Sequence, residues 1–321
     1  MDEKKLIGYG ESVVDFIPVG SEDGCTLFKA CPGGSVANLC VVAASLGTPS
    51  AFIGGVGQDH FGAFLQESIA AYGVDTSNMV FTKDCGTNLA FVHIKDEERE
   101  YSSANWPGAD KMVGEEDIDQ DKILNGRILH VSSNAMALGK NRMTQPKVLA
   151  AAKAKGMLIS YDVNYRSGFY ANTQEALQVL RTPLEWADIV KVTEEELDLL
   201  TGGHTQSHAE TLLEGAASLV LMTRGSEGCD YYTRDFSGHV DAMRVKVADT
   251  VGAGDCFLGG FLSWMLQHSE LKGWIPEEVE AACLYGNRAA GLSVQKIGAM
   301  SSVPTCEAMQ KLYKELEDGV K

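Results

Sequence analysis

The stretch DTVGAGDCFLGGF, Asp249 to Phe261, sets a carboxylate at the mouth of a glycine turn. A strand-like segment, His239–Val247, leads into it, and Phe257–Leu266 beyond it has helical character. At a helix start the first backbone N–H groups lack intrahelical partners and carry the positive end of the helix dipole. The amides of residues 253–255 are therefore expected to point outward as an anion hole, with Gly252, Ala253 and Gly254 forming the turn. The alternative to such an anion hole is an ordinary glycine turn with Asp255 as a cap of the helix. On this stretch alone the two readings are about equally good.

Two further glycine clusters carry related signals. Gly33-Gly34-Ser35-Val36-Ala37-Asn38 opens an alanine-rich helix that ends near Gly47, and its glycines allow a ligand close to the backbone. Asn38 shares that helix with Ala37, Leu39, Val41 and Val42, so its amide needs a partner, whether backbone or ligand. Gly54-Gly55-Val56-Gly57 lies between a strand and a helix, with Asp59 as an N-cap. A Walker-type loop fails, because Gly139-Lys140-Asn141 lacks the hydroxyl and the upstream glycine. A dinucleotide fingerprint at Gly8-Tyr9-Gly10 is weak, because its third glycine falls at Val13 and a β-like run follows.

The elements that must position these groups alternate between short apolar strands and amphipathic helices. Strands are expected at Lys5–Gly10, Ser50–Gly55, Arg127–Ser132, Met157–Asp162, Ile189–Val192 and Ser218–Thr223. Helices are expected at Ser35–Leu46, Asp59–Tyr72, Thr144–Lys155, near Gln174–Arg181, and at Glu194–Leu200, Gly254–His268, Pro276–Leu292 and Cys306–Leu316. That rhythm predicts a three-layer α/β/α sandwich around a mostly parallel sheet. Val13–Val19 and Asn88–Ile94 break it, the latter joined through Lys95-Asp96-Glu97-Glu98 to Glu100–Ser103 in hairpin fashion. These segments predict a small separate β-sheet, a lid over the site, from about 12–30 and 87–105. No repeat or linker divides the chain, so one domain over residues 1–321 is expected.

Composition limits the partners. The chain has 321 residues, 45% hydrophobic and 22% charged, with 27 Lys and Arg against 44 Asp and Glu, a net charge of -17. Such a surface argues against nucleic acid and against an anionic membrane. A phosphate ligand must then be held by local dipoles, a few placed cations or a metal. No apolar stretch approaches the ~20 residues that span a bilayer, and MDEKKLIGYG does not read as an export signal. The eight cysteines form no C-x-x-C pair, so reduced thiols and a cytoplasmic location are expected.

Taken together, these residues resemble the ribokinase-like (PfkB) carbohydrate kinases over nearly the whole chain. Gly33–Asn38 with Gly47 and Gly57 resembles that family's first signature, and Asp249–Asp255 its second. The resemblance implies ATP and Mg²⁺ as cosubstrates, a sugar hydroxyl as acceptor, and a homodimer joined through the lid sheets. It makes Asp255 the general base and Gly252, Ala253 and Gly254 the anion hole for the moving phosphoryl group. Asp15, Gly33, Gly34 and Asn38 would bind the sugar. Thr223, Gly225 and Gly228 would hold nucleotide phosphates, and Asn287 would line the adenine pocket. Asp249 and Val251, with the segment near Gly298, would hold a monovalent cation such as K⁺. Where the family shows N-x-x-E this chain has Thr193-Glu194-Glu195-Glu196; Glu196 would act on Mg²⁺ through water, and the same residues spell a capping box.

Asp162-Val163-Asn164-Tyr165-Arg166 is similar to the fructokinase and 2-keto-3-deoxygluconate kinase branch, with Asn164 and Arg166 near the transferred phosphate. Arg99-Glu100-Tyr101 and Pro107-Gly108-Ala109-Asp110 fit the same branch. Many of those kinases carry a Tyr-Arg pair where this chain has Ala104-Asn105-Trp106, and the missing cation favours a neutral hexose, fructose, over a sugar acid. Asn105 then becomes a sugar contact. Two rival classes are a non-catalytic sugar-binding scaffold and, on Gly8-Tyr9-Gly10, an oxidoreductase.

Overall fold

The computed structural model describes residues 5–95, 98–105 and 107–319. Its main sheet has eight strands in the order β14-β13-β12-β11-β10-β9-β1-β4. Six are parallel: β1 (Leu6–Tyr9), β4 (Ser50–Ile53), β9 (Ile128–Ser132), β10 (Leu158–Asp162), β11 (Ile189–Thr193) and β12 (Leu219–Thr223). β13 (Cys229–Tyr232) and β14 (Ser237–Val240) extend one edge antiparallel. The parallel strands are short, apolar and buried on both faces, as strands between two helical layers must be.

Helices α1 (Ser35–Ser45), α8 (Ala253–His268) and α9 (Pro276–Ser293) cover one face, with Leu39, Phe257, Leu258, Leu262 and Val279 packed on Leu6, Ile128, Ile189 and Leu219. On the other face α4 (Asn141–Ala154), α5 (Thr173–Arg181), α6 (Glu194–Thr201) and α7 (Gln206–Leu213) set Leu149, Leu180, Leu197 and Leu213 against Ile7, Leu129, Val131 and Val220. α2 (His60–Ala70) and α10 (Cys306–Gly319) close the β4 end around Phe52, Leu65 and Met309, and α3 (Gln120–Ile123) is a single turn. Asp59 caps α2 by accepting from the Gly62 amide at 2.8 Å, as its place before the helix suggests.

The rhythm-breaking segments do form a separate sheet, in the order β3-β2-β7-β8. β2 (Val13–Glu22) pairs antiparallel with β3 (Cys25–Gly33) and parallel with β7 (Leu89–Lys95), which pairs antiparallel with β8 (Glu98–Ala104). The turn residues Asp96 and Glu97, and Trp106, lie outside the described residues. β5 (Gly55–Gly57) and β6 (Val80–Thr82) make a two-stranded ribbon beside it.

Several boundaries differ from the sequence expectation. The strand expected over His239–Val247 is confined to Ser237–Val240, and residues 241–247 have no regular structure. β14 pairs only with β13, whose ladder stops at Cys229 because Gly228 (φ 110°) turns the chain away. α4 starts at Asn141, before the expected Thr144, and α7 has only a weak apolar stripe in the sequence. The polar, largely exposed residues of β3 likewise carry little strand signal and gain it from β2.

Candidate active site

The parallel strands β1, β9, β10, β11 and β12 all end at one edge, where open α/β sheets bind ligands. The chain order reverses between β1 and β9, and the loops after these strands face each other there. The buried Glu11 spans that gap. Its Oε1 accepts from the Ser35 amide at the start of α1 (3.1 Å), and its Oε2 accepts from Ser132 Oγ at the end of β9 (2.9 Å). Gly34, the residue before α1, has φ 104°, and a Cβ there would lie 2.6 Å from the Glu11 carbonyl. Only glycine lets the helix begin so close to that loop.

Asn38, one turn into α1, donates its Nδ2 to Asp255 Oδ2 at 2.8 Å. Both side chains are buried, and the Asn38 Oδ1 has no partner among the described residues. Gly252 (φ 77°) is the left-handed residue that turns the chain into α8, placing Asp255 in the first turn. The Ala253 amide differs from expectation: it donates back to the Thr250 carbonyl (3.2 Å), which leaves Gly254 and Asp255 to supply the outward amides. Burial pushes the Asp255 carboxyl up to about 7; the Asn38 amide and Lys191 ammonium oppose the shift, and the Asp162 and Glu11 carboxyls add to it.

Lys191 was not singled out by motif reasoning. It sits on β11, buried, with its Nζ donating to Asp162 Oδ1 at 3.1 Å. A Cβ placed on Gly254 would lie 3.4 Å from the same Nζ, so the ammonium stands directly beside the turn that opens α8. Burial works against its charge, but Asp162, Glu196 and Asp255 together outweigh it and raise its pKa. Asp162 on β10 is thus the buried partner of Lys191, and no ion pair joins it to Arg166 among the contacts described.

Thr193 and Glu196 form the capping box of α6: Thr193 Oγ1 accepts from the Glu196 amide (3.2 Å), and Glu196 Oε2 accepts from the Thr193 amide (2.8 Å). Glu196 Oε1 also accepts from the Tyr165 amide at 2.7 Å, tying the loop after β10 to α6. Burial raises the Glu196 pKa, against the pull of Lys191. Among the described residues no three His, Cys, Asp or Glu side chains converge on a metal position. A divalent cation that keeps its waters and binds through phosphates still fits, because each Glu196 oxygen retains a lone pair for metal-bound water.

Among the residues expected to bind the sugar, Asp15 lies on β2 against Gly33 of β3, where a Cβ would come 2.2 Å from Asp15 Oδ2. Arg166 is exposed, and its Nη1 reaches only the Tyr165 carbonyl at 3.4 Å among the contacts described. Asn105 (φ 58°) donates its Nδ2 to the Thr87 carbonyl at 2.9 Å, so this amide braces the foot of the β7–β8 hairpin, with its second N–H and its Oδ1 left for other partners.

Among the residues expected to hold the nucleotide, Thr223 ends β12, with Oγ1 donating to the Val192 carbonyl (3.3 Å), and Gly225 opens a single 3₁₀ turn that Gly228 closes. Arg224 is held by Glu194 (3.0 Å) and Glu227 (2.8 Å). The buried Asn287 on α9 donates to the carbonyls of Val240 (2.9 Å) and Asp241 (3.1 Å), fixing the end of β14. Asn164 is buried with φ 40°, its amide donating to Asp162 Oδ1 at 3.1 Å. Asp249 accepts from the amides of Val251 (3.0 Å) and Gly298 (2.9 Å), stapling together the two loops expected to hold a monovalent cation.

A family model for pfkB family carbohydrate kinases matches residues 3–306. The chain is 36% identical over 315 residues to a protein named probable fructokinase-6, chloroplastic, of Arabidopsis thaliana, covering 95% of this chain and 81% of that protein. Its fold is similar to the crystal structure of fructokinase with bound ATP from Xylella fastidiosa, with a TM-score of 0.92, 30% identity, and 98% and 99% of the two chains covered. It is also similar to a cysteine double mutant of Vibrio cholerae O395 fructokinase in its fructose-, ADP- and potassium-bound form (TM-score 0.87, 30% identity, 97% and 99% covered). Two glycine turns joined through Asn38 and Asp255, on this sheet, thus belong to a chain that is a member of the pfkB family of carbohydrate kinases.

Proposed function

We propose that the protein is an ATP-dependent hexose kinase whose substrate is fructose and whose product is fructose 6-phosphate. The observation that carries this reading is the Asp255 carboxyl, held by Asn38 at the mouth of α8 with Lys191 beside the same turn. A carboxyl pushed up to about 7 by burial suits a general base working near neutrality. Asp255 takes the proton of the attacking hydroxyl while the hydroxyl oxygen forms its bond to the γ-phosphorus and ADP leaves. The Gly252–Gly254 turn, through the Gly254 and Asp255 amides, and the Lys191 ammonium offset charge on the moving phosphoryl group.

In this reading Asp15, Gly33, Gly34, Asn38, Asn105 and Arg166 surround the sugar. Asn164, Thr223, Gly225, Gly228 and Glu196 face ATP, with Asn287 shaping the adenine end through β14. Mg²⁺ bound to the ATP phosphates would meet Glu196 through water, and K⁺ would sit between the loops that Asp249 joins. The β2–β3–β7–β8 sheet is the lid, and Val19, Leu27 and Phe28, exposed on it, support a homodimer formed there. Among the described residues no helix is long and apolar enough to cross a membrane; a cytoplasmic location is part of the proposal.

Fructose is supported by the names of the relatives and by the absence of a Tyr-Arg pair at 104–105. ADP release with Mg-ATP and, in turn, fructose, 2-keto-3-deoxygluconate, ribose and adenosine tests the assignment. Fructose should give the highest kcat/KM. A higher value for the sugar acid would overturn the choice of sugar, and no turnover with any of them would overturn the kinase reading.

A further inference from the structure

A second buried charge pair, Lys111 with Asp110, lies outside the two glycine signatures. Lys111 is almost fully buried, in the turn that follows Pro107-Gly108-Ala109-Asp110. Its Nζ donates to the buried Asp110 Oδ2 at 2.6 Å and stands 5.5 Å from the centroid of the Phe169 ring. Asp110 in turn accepts from Asn88 Nδ2 at 3.5 Å, and Asn88 Oδ1 accepts from Ser103 Oγ. The Asp110 carbonyl accepts from Asn141 Nδ2 at 2.8 Å, which fixes the turn to the start of α4. The Lys111 charge also favours the ionised form of Glu11, opposing its burial, and Glu11 holds the starts of α1 and of the loop after β9.

The Lys111–Asp110 pair therefore touches or borders several separate segments of the chain. Asn88 and Ser103 belong to β7 and β8 of the lid sheet, Phe169 to the loop that carries Arg166, Glu11 to the loop that shapes Gly34, and Asn141 to the scaffold. A lysine is rarely buried without pairing, and an apolar side chain of similar volume would usually cost less to bury than an ion pair. Plain stability is thus a poor reason for this pair, whereas the joining of separate chain segments at a fixed charge is a good one.

We propose that Lys111 is a positioning residue for the sugar subsite: through Asp110 and Phe169 it sets the lid root and the Arg166 loop relative to one another. This rests on the hexose kinase reading. Its named partners, Asp110 and Phe169, belong neither to the α8 turn nor to β12–β14, so its loss should be felt in sugar binding and not in ATP binding.

The test compares steady-state KM for fructose and for ATP in Lys111→Met, Lys111→Arg and Phe169→Leu, with thermal unfolding as the check on folding. Lys111→Met leaves Asp110 buried without its cation and could unfold the chain, so the double variant Asp110→Asn/Lys111→Met, which removes both charges, is measured beside it. The expected result is a rise of about tenfold in fructose KM for the cation-less variants, with ATP KM within about twofold of wild type. Lys111→Arg should recover most of the loss, and Phe169→Leu should give a smaller rise in fructose KM alone. A folded cation-less variant with unchanged fructose KM would overturn the proposal, as would a parallel loss of fructose and ATP affinity. Wild-type protein that phosphorylates no sugar would instead overturn the function on which the proposal rests.

Discussion

Asn38 Nδ2 lies 2.8 Å from Asp255 Oδ2, across 217 positions of sequence. This contact joins the glycine turn that starts α1 to the glycine turn that starts α8. On the proposed function, a sugar contact thereby touches the residue that takes the sugar's proton. It also gives the Asp255 carboxylate a neutral donor, so the charge is held without being cancelled.

The first prediction concerns pH. Burial sets Asp255 at about 7, so it is protonated below that value and cannot take a proton from the sugar hydroxyl. kcat/KM for fructose should therefore fall as pH drops through about 7, with a slope of one, and level off above it. A profile flat from pH 5.5 to 8 would contradict this.

Removing the donor should move that limb. Asn38→Ala takes away an interaction that favours the ionised carboxyl, so the Asp255 pKa rises further. At pH 7 a rise of about one unit in that pKa would lower the ionised fraction, and with it kcat/KM, by about fivefold, and raising the pH to 9 should restore a large part of it. Asn38 also lines the sugar side, so part of the loss should remain at any pH as a raised fructose KM. A loss with no recovery at high pH would separate Asn38 from the charge of Asp255.

Lys191 should matter to both stability and phosphoryl transfer. Lys191→Met leaves Asp162 and Glu196 buried without their shared cation, at a cost of about 3–5 kcal/mol seen in chemical unfolding. In the folded fraction kcat should drop by about a hundredfold or more, as when one donor to a developing negative charge is removed. Wild-type kcat in the folded variant would mean that Lys191 only balances charge.

The way Lys191 escaped notice shows where sequence patterns stop. Apolar strands spaced by helices were enough to place all six parallel strands, because burial on both faces leaves a run such as Ile-Leu-His-Val-Ser with little other use. Val190-Lys191-Val192, however, reads as a half-exposed strand, and only the layer of α8 above it shows that the lysine is buried. Ahead of a T-x-x-E helix start, a lone lysine in an apolar strand was the available signal. Asp255, Gly34 and Asn38 were legible because glycine spacing at two helix starts is a local property. The partners of Asn287, Asn105 and Glu11 were not, since each is a carbonyl, hydroxyl or amide brought in by tertiary packing. The same limit explains the overlong strand at His239–Val247, where alternation continued after the neighbouring strand had ended.

The most direct measurement is single-turnover phosphoryl transfer from Mg-ATP to fructose by Asp255→Asn, with ATP affinity measured on the same sample by calorimetry. Asparagine preserves the size of the side chain and its contact with Asn38 but cannot take the proton. The account predicts a rate reduced by about 10²–10⁴, the range for loss of a general base, with ATP affinity within about threefold of wild type. Transfer at close to the wild-type rate by a folded, ATP-binding Asp255→Asn protein would contradict it.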